Sequence, residues 1–233
     1  MFVRVCRAVI ARLSLAVIAM LSCTSLAHAG YITIDEVGLN EIYSQESFGD
    51  TPFSIRFNPA QTIVAPQFLV LNNAGDYQGL FSLLPDPGLN VIAFFVDRVN
   101  FCGTQPGDNL GCAELPGNYQ VLNSIDAELR PAKLIGHELG HNLGLERTSL
   151  GLMSTNVDFG TSDLFEDQVA TMLQSPLVQT DANGQRFIMV TPIAIVDAPE
   201  PTTLLLFGAG LGALIIKRRN TRSTKACQRG SPS

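Results

Sequence analysis

The sequence is poor in histidine and, between its two ends, in basic residues. Only three of its 233 residues are histidines: His28, His137 and His141. All but one of the 21 acidic residues, but few of the 15 basic ones, lie in residues 30–198, so this part is strongly acidic. Such a charge repels phosphates and excludes nucleic acid as a partner. No internal repeat is present, and 46% apolar residues suit one globular domain of roughly 170 residues.

Long apolar runs are restricted to the two ends, and each is short for a membrane span of ~20 residues. At the N-terminus, three arginines precede the apolar run Leu13–Leu21 and the small-x-small site Ala27-His28-Ala29. This order predicts a secretory signal peptide at residues 1–29. A lipoprotein signal through Leu21-Ser22-Cys23 and a retained membrane anchor are the alternatives.

The C-terminal run has a different pattern around it. Pro199-Glu200-Pro201 precedes the apolar run Thr202–Ile216, and Lys217-Arg218-Arg219 follows it. This order resembles the PEP-CTERM sorting signal of Gram-negative bacteria, which implies an exosortase-type membrane protease as a partner. A helix of about fifteen residues rises roughly 22 Å, short of a ~30 Å hydrocarbon core. We expect a sorting segment with a short transmembrane helix at 198–219 and a basic cytoplasmic tail at 220–233. A simple membrane anchor is the alternative.

Cysteine usage agrees with export. Of the five cysteines, only Cys102 and Cys112 lie between the two terminal segments. The residues between them are rich in Gly, Pro, Asp and Asn, so closing this loop costs little strain. In an oxidising compartment we expect the pair to form a disulfide. Both interpretations of the C-terminus place residues 30–197 outside the cytoplasm, at the cell surface, in the extracellular matrix or anchored facing outward.

The most informative stretch is the H-E-x-x-H motif at residues 137–141. His137 and His141 are four residues apart, which places both imidazoles on one face of a helix. Two neutral imidazoles side by side suit Zn²⁺. Glu138 has the position of a general base for a zinc-activated water. Gly144 lets the helix end and the chain turn back.

These residues resemble the metzincin zinc endopeptidases, whose motif is H-E-x-x-H-x-x-G-x-x-H followed by a methionine turn. The matching positions are His137, Glu138, His141 and Gly144, with Met153 as the turn methionine. The resemblance implies a Zn²⁺ cofactor, a peptide or protein substrate and a small two-lobed α+β domain. It also implies that an edge strand above the cleft pairs with the substrate, for which Cys112–Leu115 is the candidate.

The last motif position is occupied by Arg147 instead of a third histidine. A guanidinium stays protonated and has no free lone pair, so Arg147 cannot replace an imidazole as a ligand. The neighbouring Glu146 is our candidate for a third metal ligand. Asp158, Asp163 and Glu166 follow the methionine turn, and Glu166 is the alternative in a gluzincin-like arrangement.

The apolar pattern predicts an α+β fold for residues 30–197, with a twisted sheet, an active-site helix and then a C-terminal helix. The predicted strands are Phe53–Phe57, Gln67–Leu71, Asn90–Val99 and a terminal strand, Arg186–Val196. The active-site helix is predicted at 131–143, and a second helix begins at Asp163-x-x-Glu166 and ends before Pro176.

Two functions follow from these patterns. The first is an exported zinc-dependent metalloendopeptidase, with His137 and His141 as metal ligands and Glu138 as the catalytic base. The alternative is an inactive pseudo-peptidase, a peptide-binding surface or matrix protein that keeps the fold. It follows from Arg147, which takes the place of the third ligand.

Overall fold

The described residues form an α+β fold with five α-helices and ten β-strands. The structure is a computed structural model that describes residues 30–103, 105–156 and 161–198. The helices are α1 (Glu36–Ile42), α2 (Ala74–Phe81), α3 (Ser124–Leu129), α4 (Pro131–Asn142) and α5 (Glu166–Met172). The strands are β1 (Phe53–Phe57), β2 (Gln61–Val64), β3 (Val70–Leu71), β4 (Asn90–Val96), β5 (Arg98–Cys102), β6 (Gln105–Asn109), β7 (Gly111–Ala113), β8 (Tyr119–Asn123), β9 (Gln179–Thr180) and β10 (Arg186–Val196).

The main sheet has the strand order β1-β10-β4-β8-β7. The first four of these strands are parallel to their neighbours, and β7 is antiparallel to β8 at the edge of the sheet. Short strands β2 and β9 also pair with β10. A separate three-stranded sheet has the order β3-β5-β6. The antiparallel strand at the edge lies against the predicted site, where Gly111 approaches Glu138.

Helices cover both faces of the main sheet, so β4 is buried from both sides. Alternate residues of a strand point to opposite faces. Phe95 accordingly packs in a core with α1 and α4, whereas Phe94 packs in a second core with α2. This two-sided burial explains why residues 91–96 form a continuous apolar run instead of an alternating one.

Several predicted elements are confirmed within a residue or two. These are the strand Phe53–Phe57, the buried strand at 91–96, the active-site helix and the strand Arg186–Val196. The last of these is not peripheral, however. It lies between β1 and β4, where it is one of the most buried strands of the sheet.

Three predicted boundaries are wrong. Residues 67–71 begin in a 3-10 turn at Pro66–Phe68 and contribute only the two-residue strand β3. The strand predicted at Asn90–Val99 is interrupted at Asp97, where the chain leaves the main sheet for the smaller one. Helix α5 begins at Glu166 instead of Asp163, because the side chain of Gln168 accepts the N–H of Phe165 and forms the cap.

The predicted terminal segments 1–29 and 220–233 lie outside the described residues, as does nearly all of 198–219. Their bounds therefore stay predictions. Within the part of the chain that the structure describes, no helix is long and apolar enough to cross a membrane.

Candidate metal centre

Helix α4 brings the two predicted ligands together. Its first residue is Pro131, whose fixed backbone angle suits the first turn of a helix. The rings of His137 and His141 are 4.9 Å apart and nearly perpendicular, and both side chains are buried. The buried hydroxyl of Tyr43, the residue after α1, donates to the Gly136 carbonyl at 2.9 Å. The helix is therefore held between α1 and the segment that follows α4.

Main-chain carbonyls orient both imidazoles. The Nδ1 atom of His137 is 2.7 Å from the carbonyl oxygen of Leu152, and Nδ1 of His141 is 2.7 Å from that of Leu145. A carbonyl only accepts, so each Nδ1 donates a proton and each Nε2 keeps its lone pair. The Nε2 of His137 is buried without a hydrogen-bond partner. This is the tautomer and the outer contact that metal-bound histidines use.

The turn after α4 supplies these carbonyls. Gly144 has a φ of +96°, which an L-residue rarely adopts, so the predicted glycine turn is confirmed. The Thr148 N–H donates to the Met153 carbonyl at 2.8 Å, which closes the loop. A Cβ built on Gly140 would lie 2.5 Å from the Met153 sulfur. Met153 is thus buried against α4 at Gly140, which lies between the two histidines in sequence.

Glu138 lies beneath the edge strand. It is 2% exposed, and its Oε2 is buried without a hydrogen-bond partner. A Cβ on Gly111 of β7 would lie 2.8 Å from Glu138 Oε1, so any other residue here would require the carboxyl group to move. The predicted edge strand therefore lies against the predicted base, although β7 spans 111–113 instead of 112–115.

Burial sets the charges of the site. It lowers the pKa of His137 to about 4 and also lowers that of His141. Burial raises the pKa of Glu138 to about 8, while the charge of Arg147 acts in the opposite direction. Both imidazoles are therefore neutral at pH 7, which is the form that binds a metal ion.

Among the described residues, none of the candidate third ligands lies at the two histidines. Glu146 and Arg147 are exposed, as are Asp163 and Glu166, and Asp158 lies outside the described residues. Among the residues that are described, no group of three or more His, Cys, Asp or Glu side chains is arranged to hold a metal ion. The charge of Arg147 nevertheless reaches the site, because it lowers the pKa of both histidines. Glu146 as a ligand stays a prediction.

The predicted disulfide between Cys102 and Cys112 is confirmed. It joins β5 to β7 and therefore ties the edge strand to the smaller sheet. Sequence reasoning missed Gly111 and the carbonyls of Leu145 and Leu152. A glycine in a strand is a weak signal of close approach, and no sequence signal identifies a carbonyl that will face a histidine.

Comparison with known proteins identifies one segment. A family model of the PEP-CTERM protein-sorting motif matches residues 197–219. No curated protein matches the chain, and no solved structure does either. The motif indicates a secreted protein that is sorted to the cell envelope of a Gram-negative bacterium, and it implies recognition by an exosortase-type processing enzyme.

Proposed function

We propose that the chain is an exported zinc-dependent metalloendopeptidase of the metzincin type, with its catalytic domain in residues 30–197. One observation carries this proposal. The Nδ1 atoms of His137 and His141 are both held by carbonyls, and the Nε2 of His137 is buried without a partner. An unpaired buried nitrogen is costly unless something binds it.

Two of the residues present suit a zinc ion. His137 and His141 are neutral, close together and oriented by their carbonyl contacts. Glu146 is the candidate for a third ligand. Replacing its neighbour Arg147 with histidine restores the full motif and tests whether the missing third histidine limits zinc binding. Bound zinc supplies a Lewis acid for the peptide carbonyl and lowers the pKa of a water molecule.

The chain itself supplies the base and the peptide-binding edge. Glu138 would accept a proton from the attacking water once the charge of a bound zinc ion lowers its pKa, which is about 8 in the metal-free chain. In the β7–β8 ladder, Leu110 and Glu114 bond to β8 through their main chains. Main-chain groups alternate in direction along such a ladder, so those of Gly111 and Ala113 point outward. An extended peptide can pair with them above Glu138.

The test measures zinc per chain and casein cleavage, with and without chelator, in the exported protein. We expect cleavage that chelator abolishes and that Glu138→Ala reduces by at least about 100-fold. Glu146→Ala should lower the zinc content if Glu146 is a ligand. Arg147→His should raise both zinc content and activity. A wild-type chain that neither binds zinc nor cleaves casein would rule out the proposal.

A pseudo-peptidase is the second candidate, and the position of Arg147 favours it. Its positive charge lies near both imidazoles and opposes a bound cation. Under this alternative the wild type is metal-free and inert, and only Arg147→His gains zinc and activity. The gluzincin-like arrangement instead requires zinc loss in Glu166→Ala but not in Glu146→Ala.

A further inference from the structure

A second feature near Glu138 is an apolar pocket on the opposite face of β7. Its volume is about 190 Å³, and three aromatic side chains, Tyr77, Phe81 and Phe101, form much of its wall. Ala74 at the start of α2 also lines the pocket, and the edge strand and its end contribute Cys112, Ala113 and Glu114. The pocket therefore lies between α2, the smaller sheet and the strand that is placed to bind peptide.

The wall of this pocket is formed by aromatic rings, and the hydroxyl group among them is already hydrogen-bonded. The Tyr77 hydroxyl donates to the Phe101 carbonyl, and the rings of Tyr77 and Phe81 meet edge to face at 5.9 Å. Glu114 at the rim accepts the main-chain N–H groups of Asn118 and Tyr119 at 2.9 and 3.2 Å. Its carboxylate is thus already engaged, which leaves an apolar cavity with a satisfied polar rim.

The pocket is close to the candidate metal centre. Gly111 of β7 lies against Glu138, and the next residue, Cys112, lines the pocket. Across β7, a side chain at position 111 would point to Glu138, whereas Cys112 points to the pocket side, where it meets Cys102. One strand therefore separates the base from the cavity.

Strand geometry then decides what enters the cavity. A peptide paired with the outer edge of β7 alternates its side chains between the two faces. Residues directly opposite each other in a ladder share a face. The peptide residue opposite Cys112 consequently points to the pocket, and its two neighbours point to the Glu138 side.

We propose that this pocket is a specificity subsite for an aromatic side chain of an extended peptide, at the residue that lies opposite Cys112. An apolar cavity of about 150 Å³ binds benzene in a well-studied case, so a cavity of about 190 Å³ accepts an aromatic ring. The inference deepens the proposed function, because it rests on a peptide along β7, but binding does not require hydrolysis.

The absence of tryptophan from the chain makes a direct measurement possible. The probe is a capped Thr/Ala peptide with a single Trp, added to the exported chain that carries Glu138→Gln to prevent cleavage. We expect a blue shift of the Trp emission on binding. A competitor with Phe at that position should displace the probe at about 10-fold lower concentration than one with Ala.

Substitution tests the location of the ring. Ala74→Leu fills the pocket and should weaken binding of the Trp peptide by about 10-fold or more. Ala170→Leu is the matched control, because Ala170 is an exposed helical residue of α5 that does not line the pocket. Equal affinities for these two variants would overturn the proposal. If Ala74→Leu does not fold, equal potency of the Phe and Ala competitors against the Glu138→Gln chain overturns it instead.

Cleavage of the same peptides by the wild type separates this inference from the proposed function. Casein hydrolysis without preference for Phe over Ala peptides would overturn the subsite and leave the peptidase intact. If the wild type binds the Trp peptide through the pocket but hydrolyses neither casein nor the Phe and Ala peptides, the subsite is supported and the proposed peptidase activity is ruled out.

Discussion

Burial of Glu138 makes the stability of the folded chain depend on pH. The pKa of this carboxyl group is raised to about 8 in the folded chain, so the folded state holds a proton that the unfolded state releases near pH 4 to 5. The folded chain therefore loses stability as the pH rises from the unfolded pKa of Glu138 towards its folded pKa of about 8. His137, with a lowered pKa, loses stability as the pH falls from 6.5 towards 4.

We therefore expect Glu138→Gln to stabilise the chelator-treated chain more at pH 8.5 than at pH 5. The difference should be of the order of a few kcal/mol, since one pKa unit corresponds to about 1.4 kcal/mol. Thermal unfolding of both chains at the two pH values measures it, and the His137 contribution cancels because both chains contain it. An equal gain at both pH values would contradict a raised pKa.

The Met153 sulfur leaves no room for a side chain at Gly140. A Cβ at this position would lie 2.5 Å from the Met153 sulfur, whereas a Cβ on Gly136 in the same helix meets nothing closer than 3.5 Å. We expect Gly140→Ala to cost about 1–3 kcal/mol of unfolding free energy. The control Gly136→Ala should be neutral or stabilising, because alanine favours helix.

A double-mutant cycle with Met153→Ala tests the cause of this cost. Once the sulfur is removed, Gly140→Ala should no longer destabilise, which corresponds to a coupling of roughly 0.5–3 kcal/mol in urea unfolding. Additive effects of the two substitutions would show that the methionine is not the obstacle.

At the scale of the elements, the edge strand β7 depends on its disulfide. It has only three residues and pairs with β8 alone among the described strands. The bond from Cys112 to Cys102 supplies a second attachment, across ten residues. Because Gly111 contacts Glu138 and Cys112 lines the pocket, one short element positions both.

Removing this bond by Cys102→Ala and Cys112→Ala together should lower the unfolding free energy by about 2–3 kcal/mol. Urea unfolding with and without reductant measures it. The wild type should lose a similar amount in reductant, whereas the double variant should be insensitive. If the disulfide of the wild type is fully reduced and its unfolding free energy does not change, the disulfide does not stabilise the fold.

At the scale of the whole molecule, the main sheet is completed by the end of the domain. Strand β10 pairs with β1 and with β4, and buries Ile188, Val190 and Ile193. These contacts join residues that are far apart in sequence, so the fold cannot form until the chain up to Val196 is available.

A chain that ends at Asp197 should therefore fold, and one that ends at Gln185 should not. The shorter chain lacks the strand between β1 and β4, which leaves two unpaired edges and an open core. Circular dichroism during thermal unfolding distinguishes them, since only the longer chain should unfold cooperatively. Cooperative unfolding of the chain ending at Gln185 would show that β10 is dispensable.

Local patterns predicted much of this arrangement, and the exceptions have a common cause. The apolar run at 91–96 and the alternation at 53–57 reflect burial on one or two faces, so they identify strands without tertiary information. The start of α5 depends instead on one side-chain contact, from Gln168 to the Phe165 N–H, which competes with other caps nearby.

The sequence by itself determined the fold class, the disulfide pair, the sorting motif and the helix on which His137 and His141 share a face. These depend on residue type and on spacing over a few residues, where the geometry of a helix or strand is regular. Only the tertiary structure decided that β10 lies in the middle of the sheet, that Gly111 covers Glu138 and that two carbonyls face the imidazoles. Those contacts join segments whose local patterns are independent, and only the packing of the whole chain selects which of them meet.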